Sequence, residues 1–139
     1  MGKTNEKFKR YVKNRLIEMD FDPDSIVFDE SEAYDAIAFP VLTEYDIITS
    51  CIIEMDKEER EITHVTIARE VDTEDPTELL MKVNELNMKY FGMTFIIDFS
   101  EEVMLIRTEV DILEEPFEDC WGDIVDMLFL AQQEFIEFD

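Results

Sequence analysis

The sequence predicts a single α+β domain in which helices pack on an antiparallel sheet, in the order α-β-β-β-α-β-β-α. Apolar residues recur at helical spacing near both ends of the chain and after Asp75, whereas they alternate with polar residues in between. A chain of 139 residues suffices for one core but not for two, so residues 1–139 form one domain. With 3 Gly and 4 Pro, the connections should be short.

The first helix is predicted over about residues 4–19, and Pro23 prevents its continuation because the residue before a proline avoids helical geometry. The basic residues of this helix fall on its remaining faces. Its apolar stripe comprises Phe8, Tyr11, Val12, Leu16 and Met19.

Between the first two helices the hydrophobic period is two, which predicts three strands, and residues 25–28 could add a short one before them. Ile37, Phe39 and Val41 alternate in the first of these runs. Pro40 interrupts the same run and predicts an edge strand, because proline cannot donate to a sheet ladder.

The second strand run extends from Tyr45 to Met55, and the acidic segment 56–59 provides the turn that follows it. Ile48 and Ile52 make its second face partly apolar as well, so this strand is expected to be covered on both sides. A third run, from Ile62 to Arg69, completes the predicted hairpin.

The second helix has an explicit start signal. Asp75 can accept hydrogen bonds from the free N–H groups of the first turn, Pro76 suits the first helical position, and Glu78 stands where a capping box places its carboxylate. Gly92 ends this helix, and a hairpin of two strands follows over residues 93–110.

The final helix opens at Glu115-Pro116 and carries more apolar surface than one sheet contact needs. One apolar stripe would face the core, and a second stripe lies beside it. We therefore expect a homodimer to which this helix or the neighbouring sheet contributes, unless the helix lies centrally in the domain. The residues expected at a protein interface are Trp121, Val125, Leu128, Phe129 and Ile136.

The net charge of −24 is distributed unevenly along the chain. Residues 1–15 hold six basic residues against one acid, whereas residues 16–139 hold six against 35 acids. A field of that sign repels nucleic acid and favours basic partners, although a purely solubilising surface or adaptation to high salt gives the same composition. The basic first helix has too few aromatic residues and too little charge to indicate nucleic-acid or membrane binding.

Two features bear on the location of the protein. No apolar run approaches the ~20 residues of a membrane span, and no secretory signal is visible. Cys51 and Cys120 lie inside apolar patterns without metal-ligand spacing, which is typical of buried free thiols in a reducing compartment. We therefore expect a cytoplasmic protein that does not contact a membrane.

The segment Asp20-Phe21-Asp22-Pro23-Asp24 resembles the start of an EF-hand calcium loop. Ser25 stands where that loop needs glycine for its sharp turn, and Ser31 stands where it needs a bidentate glutamate. A solvated acidic turn at a helix terminus explains the segment more simply. A sensor of calcium or of a small ligand, built on Asp20 to Asp24, is the alternative function.

No pattern in the sequence indicates a reaction or a bound cofactor. His64 is the only histidine, and a catalytic dyad with Cys51 or Cys120 has nothing else to support it. Neither a glycine-rich phosphate loop nor a zinc-ligand spacing occurs. The chain is therefore predicted to be non-catalytic and to need no cofactor.

The order of elements, the small acidic chain and the expected dimer resemble the type III secretion chaperone-like fold. Within that fold, the chain resembles the YbjN-type family, which is described as bacterial sensory-transduction regulators. The segments that carry this resemblance are Leu86-Asn87, Phe95-Ile96-Ile97-Asp98, Val103-Met104-Leu105 and the long helix through Ala131. The resemblance implies a dimeric, protein-binding bacterial domain and supplies no catalytic residues.

These observations favour a chaperone-like or regulatory module that holds segments of client proteins. The client would lie along an apolar groove or an exposed sheet edge, where main-chain pairing provides affinity. The acidic rim would select basic client segments.

Overall fold

The structure is a computed structural model that describes residues 3–42 and 48–135. Within these residues the predicted α+β class and element order are confirmed, and the short strand allowed for near residues 25–28 is present as β1. The elements are α1 (Lys3–Glu18), β1 (Val27–Glu30), β2 (Tyr34–Leu42), β3 (Ile48–Asp56), β4 (Thr63–Glu70), α2 (Pro76–Lys89), β5 (Met93–Asp98), β6 (Val103–Val110) and α3 (Phe117–Phe135).

The six strands form one antiparallel sheet in the order β1-β2-β3-β4-β6-β5. Helix α2 carries the chain from β4 past β6 to the edge strand β5. The prediction of an edge strand at Pro40 is wrong, because β2 lies between β1 and β3. The pairing of β1 with β2 ends at Val27 and Ala38, and Pro40 lies beyond that end. The N–H that proline lacks therefore removes no hydrogen bond between β1 and β2.

The core lies on one face of the sheet. Along β2, β3 and β6 the buried residues alternate with more exposed ones, as a sheet covered on one side requires. One cross-strand row on this face is less than 3% exposed throughout and passes from β2 to β5. This row consists of Phe39, Cys51, Ile67, Ile106 and Phe95.

Helices α1 and α3 pack together over this core. The rings of Phe8 and Phe117 meet edge to face with centroids 5.2 Å apart, and Phe8, Val12 and Leu16 are fully buried, as predicted. Met19 was predicted on the same stripe, but it follows the end of α1 and is 46% exposed. Within the described residues, no helix combines the length and the apolar character needed to cross a bilayer.

Candidate functional site: the open face of the sheet

None of the three described helices covers the side of the sheet opposite the core, which we call the open face. Of its residues only Thr66 is buried. The expectation that β3 is covered on both sides is therefore not met, and Ile52 is half-buried on the open face. Among the residues whose burial the structure describes, the open face consists of Val27, Asp29, Tyr34, Ala36, Ala38, Pro40, Ser50, Ile52, Glu54, Asp56, His64, Thr66, Ala68, Glu70, Thr94, Ile96, Asp98, Val103, Leu105, Arg107 and Glu109.

Cross-strand register orders the middle of the open face into two rows, which we call the central band. Arg107 is the only charged residue in either row. Since neighbouring strands lie ~4.8 Å apart, six strands make the band about 24 Å long. The first row contains Val27, Ala38, Ile52, Thr66, Arg107 and Thr94. The second row contains Pro40, Ser50, Ala68, Leu105 and Ile96.

Acidic residues flank the central band on both sides. One flanking row contains Asp29, Ala36, Glu54, His64 and Glu109, and the other contains Glu70, Val103 and Asp98. Within the first of these rows His64 Nδ1 lies 3.6 Å from the Glu109 carboxylate. The centre of the open face is thus nearly free of charge, while its margins carry carboxylates.

Arg107 is the one basic side chain inside the central band. Its Nε–H donates to Thr66 Oγ1 at 3.4 Å, so the side chain extends along the sheet surface toward β4. Thr66 is 5% exposed, although none of the described helices lies above it.

The two edges of the sheet differ. At the β5 edge, the Asn87 side chain of α2 donates to the carbonyl of Phe95 at 2.9 Å and accepts from its N–H at 2.7 Å, so the helix takes the place of a further strand. At the β1 edge all four residues are exposed. The outward N–H of Glu30 bonds to the Asp29 carboxylate at 2.9 Å. Shortness and negative charge limit non-specific pairing at this edge.

The predicted interface residues of α3 occupy different environments. Trp121 and Leu128 are each 7% exposed and belong to the core of the chain, and Val125 is half-buried against that core. Phe129 is 61% exposed. Ile136 lies outside the described residues. Of the four that are described, Phe129 presents the largest apolar surface to solvent.

The candidate catalytic residues do not meet. His64 lies on the open face of β4, whereas Cys51 lies on the core face of the adjacent strand β3, so the sheet separates them. Both cysteines are free and buried. Burial raises the pKa of Cys120 to about 11 and raises the pKa of Cys51 further still. A cysteine nucleophile must be ionised to react. With pKa values this high, neither thiol is ionised near neutral pH.

The acidic segment after α1 serves as a turn. Asp22 caps the 3₁₀ turn Pro23–Ser25 by accepting from the N–H of Asp24 at 2.9 Å, which explains the residue without a bound ion. Asp20, Asp22 and Asp24 do not form a group of three converging carboxylates.

One group of three carboxylates does converge within the described residues, at Glu6, Glu30 and Asp35. The Lys9 ammonium already lies there, 2.8 Å from Glu6 and 3.8 Å from Asp35. Lys9 is 6% exposed, although the basic residues of α1 were expected on its outer faces. A cation of the protein itself thus offsets part of the negative charge of this group.

No protein-family model matches the chain, and a search of curated proteins finds no match either. The resemblance to the YbjN-type family therefore stays a prediction.

Proposed function

We propose that the chain is a non-catalytic protein-binding module, chaperone-like or regulatory, that holds a segment of a client protein against the open face. The observation that carries this proposal is the central band, a strip almost free of charge that crosses all six strands between two acidic margins. An antiparallel sheet needs a core on one face only, so the other face is available for binding.

The size and relief of the central band suit a peptide segment. A length of about 24 Å corresponds to about seven residues of extended chain. Ala38, Ser50 and Ala68 have short side chains, so the main chain of a client can approach the sheet closely. Small ligands prefer concave sites that enclose them, whereas this surface is open.

The charge pattern favours clients with apolar residues flanked by basic ones. Apolar side chains would lie on the central band, and lysine or arginine would reach the carboxylates of Glu54, Glu70 and Asp98 at the margins. Because these carboxylates are exposed or half-buried, they contribute more to the rate and selectivity of association than to affinity.

We also propose that the protein is a homodimer and that it is cytoplasmic. Apolar side chains left exposed away from the open face support a contact between copies. The two free thiols, Cys51 and Cys120, suit a reducing compartment.

Site-specific photo-cross-linking tests the client proposal. A photoreactive residue at Ser50, inside the central band, should capture client proteins from the host lysate, whereas the same residue at the exposed Leu113, outside the sheet, should not. Ala68→Glu places a carboxylate in the band and should abolish capture from Ser50 without lowering the melting temperature. Equal capture from Leu113, or full capture by Ala68→Glu, would remove the central band from the mechanism.

A further inference from the structure

Helix α2 presents three different stripes along its length, as 3.6 residues per turn allow. One stripe packs on the core, one is charged, and the third is exposed and uncharged along its whole length. The core stripe is Leu79, Val83 and Leu86. The charged stripe is Glu78, Lys82, Glu85 and Lys89. The third, which we call the uncharged stripe, is Thr77, Leu80, Met81, Asn84, Asn87 and Met88.

The uncharged stripe exposes large apolar side chains. Leu80 is 52% exposed, Met81 62% and Met88 77%. A groove of about 490 Å³ lies along it, between Leu80 and Asn87. Phe91, just beyond the end of the helix, is 94% exposed. Exposed apolar surface of this extent on one element marks a contact site.

We infer that a second copy of this chain docks on the uncharged stripe, with the two α2 helices side by side and antiparallel. This inference rests on the homodimer proposed above and names its interface, whereas the interface residues expected from the sequence lie on the last helix. It is independent of the client proposal, which concerns the open face.

Net charge decides where two copies can approach each other. Each copy carries −24, so most pairs of facing surfaces repel. The uncharged stripe brings no like charges into contact, and the charged stripe beside it holds two acids and two bases. A contact through this part of α2 therefore avoids the repulsion that most of the surface would create.

The order of charges selects the antiparallel arrangement. The signs along the charged stripe alternate, so reversing one helix places Glu78 opposite Lys89 of the second copy and Lys82 opposite Glu85. Both pairs share one midpoint, between residues 83 and 84. Leu80 and Met88 are symmetric about residue 84, so the apolar contact and the ion pairs require nearly the same register.

A parallel arrangement lacks this complementarity. The twofold axis of a parallel pair runs along the helices, so the charged stripe of one copy would lie beside the core stripe of the other. Inside one copy, Lys82 already contacts Glu78 at 3.6 Å and Lys89 contacts Glu134 at 3.0 Å. Glu134 is only 14% exposed, but the Glu78 and Lys89 side chains are each 62% exposed and can turn toward a second copy. Charge therefore sets the orientation while apolar contact supplies the affinity.

Sedimentation equilibrium of the full chain tests the interface. The wild type should show twice the chain mass of 16.5 kDa, and Met88→Glu should raise the dissociation constant about a hundredfold by placing an unpaired charge in the contact. Phe129→Glu, an equally drastic change at an exposed apolar site on α3, should leave the dimer intact. A wild type that stays at 16.5 kDa overturns the homodimer itself. A dimer lost in Phe129→Glu but kept in Met88→Glu overturns only the α2 interface.

Charge reversal tests the orientation. Lys82→Glu and Glu85→Lys each replace two facing opposite-charge pairs with like-charge pairs, so each variant alone should dimerise about tenfold more weakly. Mixed in equal amounts, they should form a heterodimer close to wild-type affinity, because both facing pairs are again opposite in sign. A mixture no tighter than either variant alone overturns the antiparallel register. Cross-linking from Ser50, scored in the same variants, reports separately on the client proposal.

Discussion

Glu59 caps helix α1 from the turn between β3 and β4, where its Oε1 accepts the N–H of Asn5 at 3.1 Å across 54 residues of chain. The same oxygen accepts the N–H of Thr4 at 2.9 Å. Its carboxylate therefore satisfies two free donors of the first turn and opposes the positive end of the helix dipole. Asn5 Nδ2 donates in turn to the carbonyl of Asp56 at 2.7 Å, so the basic helix is attached to an acidic hairpin.

Replacing Glu59 should loosen α1. Glu59→Ala removes both hydrogen bonds and is expected to lower the free energy of unfolding by about 1–2 kcal/mol, as for loss of a helix cap. Glu59→Gln keeps an acceptor oxygen and should lose less. Glu58→Ala, which removes an exposed acid next to Arg60, is the matched control and should change little. Equal losses at positions 58 and 59 in urea unfolding would contradict the cap.

Replacing Asn87 should open the β5 edge. Asn87→Ala leaves the outward N–H and carbonyl of Phe95 without their partner, at a cost of about 1–2 kcal/mol in the free energy of unfolding. Asn14→Ala, on the exposed side of α1, is the control and should be neutral or slightly stabilising because alanine favours helix. Both variants are compared by urea unfolding at one low protein concentration, so that self-association does not contribute. Similar losses in the two variants would show that Asn87 does not close the edge.

Alkaline pH should destabilise the fold through Cys120. Burial, and then nearby carboxylates, raise the pKa of its thiol from 9.0 to about 11, so the unfolded chain releases this proton at lower pH than the folded one. Stability should therefore fall as pH rises above 9, and the wild type should lose about 1 kcal/mol per pH unit relative to Cys120→Ala. Chemical unfolding of both proteins at pH 8, 9 and 10 measures the difference. Parallel pH profiles would show that the thiol is not perturbed.

The acidic turn after α1 should not bind calcium tightly. Asp22 already accepts a main-chain hydrogen bond, and Ser25 and Ser31 stand where an EF-hand has its glycine and its bidentate glutamate. Calorimetry should detect no binding tighter than about millimolar. A micromolar heat signal that disappears in Asp22→Asn would revive the sensor hypothesis.

Client association should depend on salt more than dissociation does. The acidic margins of the open face would steer a basic segment, and exposed charges are screened beyond ~8 Å at physiological ionic strength. With a client identified from Ser50, the association rate should fall between about 50 mM and 500 mM salt while the dissociation rate changes little. An association rate independent of salt would leave the acidic margins without a role in recognition. A dissociation rate that rises equally steeply would mean that charge, and not the central band, holds the client.

Elements whose signals are local could be predicted from the sequence. Asp75 caps α2 by accepting from the N–H of Glu78 at 3.1 Å, as expected of an acid three residues before it. Hydrophobic period likewise identified the buried residues Phe8, Val12 and Leu16 of α1, because helical spacing determines which residues share a face.

Features that depend on distant residues could not be predicted in this way. Whether Pro40 lies on an edge depends on where β1 ends, and the burial of Lys9 depends on Asp35, 26 positions away. Alternation in β3 shows which residues share a face of the sheet. It does not show that both α1 and α3 pack on the same face of that sheet. The open face was missed for that reason.

The placement of the core on one side of the sheet has a consequence for how this sequence can change over generations. A substitution at Ile37 or Ile53 meets packed neighbours and threatens folding, whereas one at Ala38 or Ser50 meets solvent. Residues on the core face and residues on the open face of the same strand are thus under separate constraints. Related chains should keep one set of these positions and vary the other, so that the surface of the open face can change while the fold is kept.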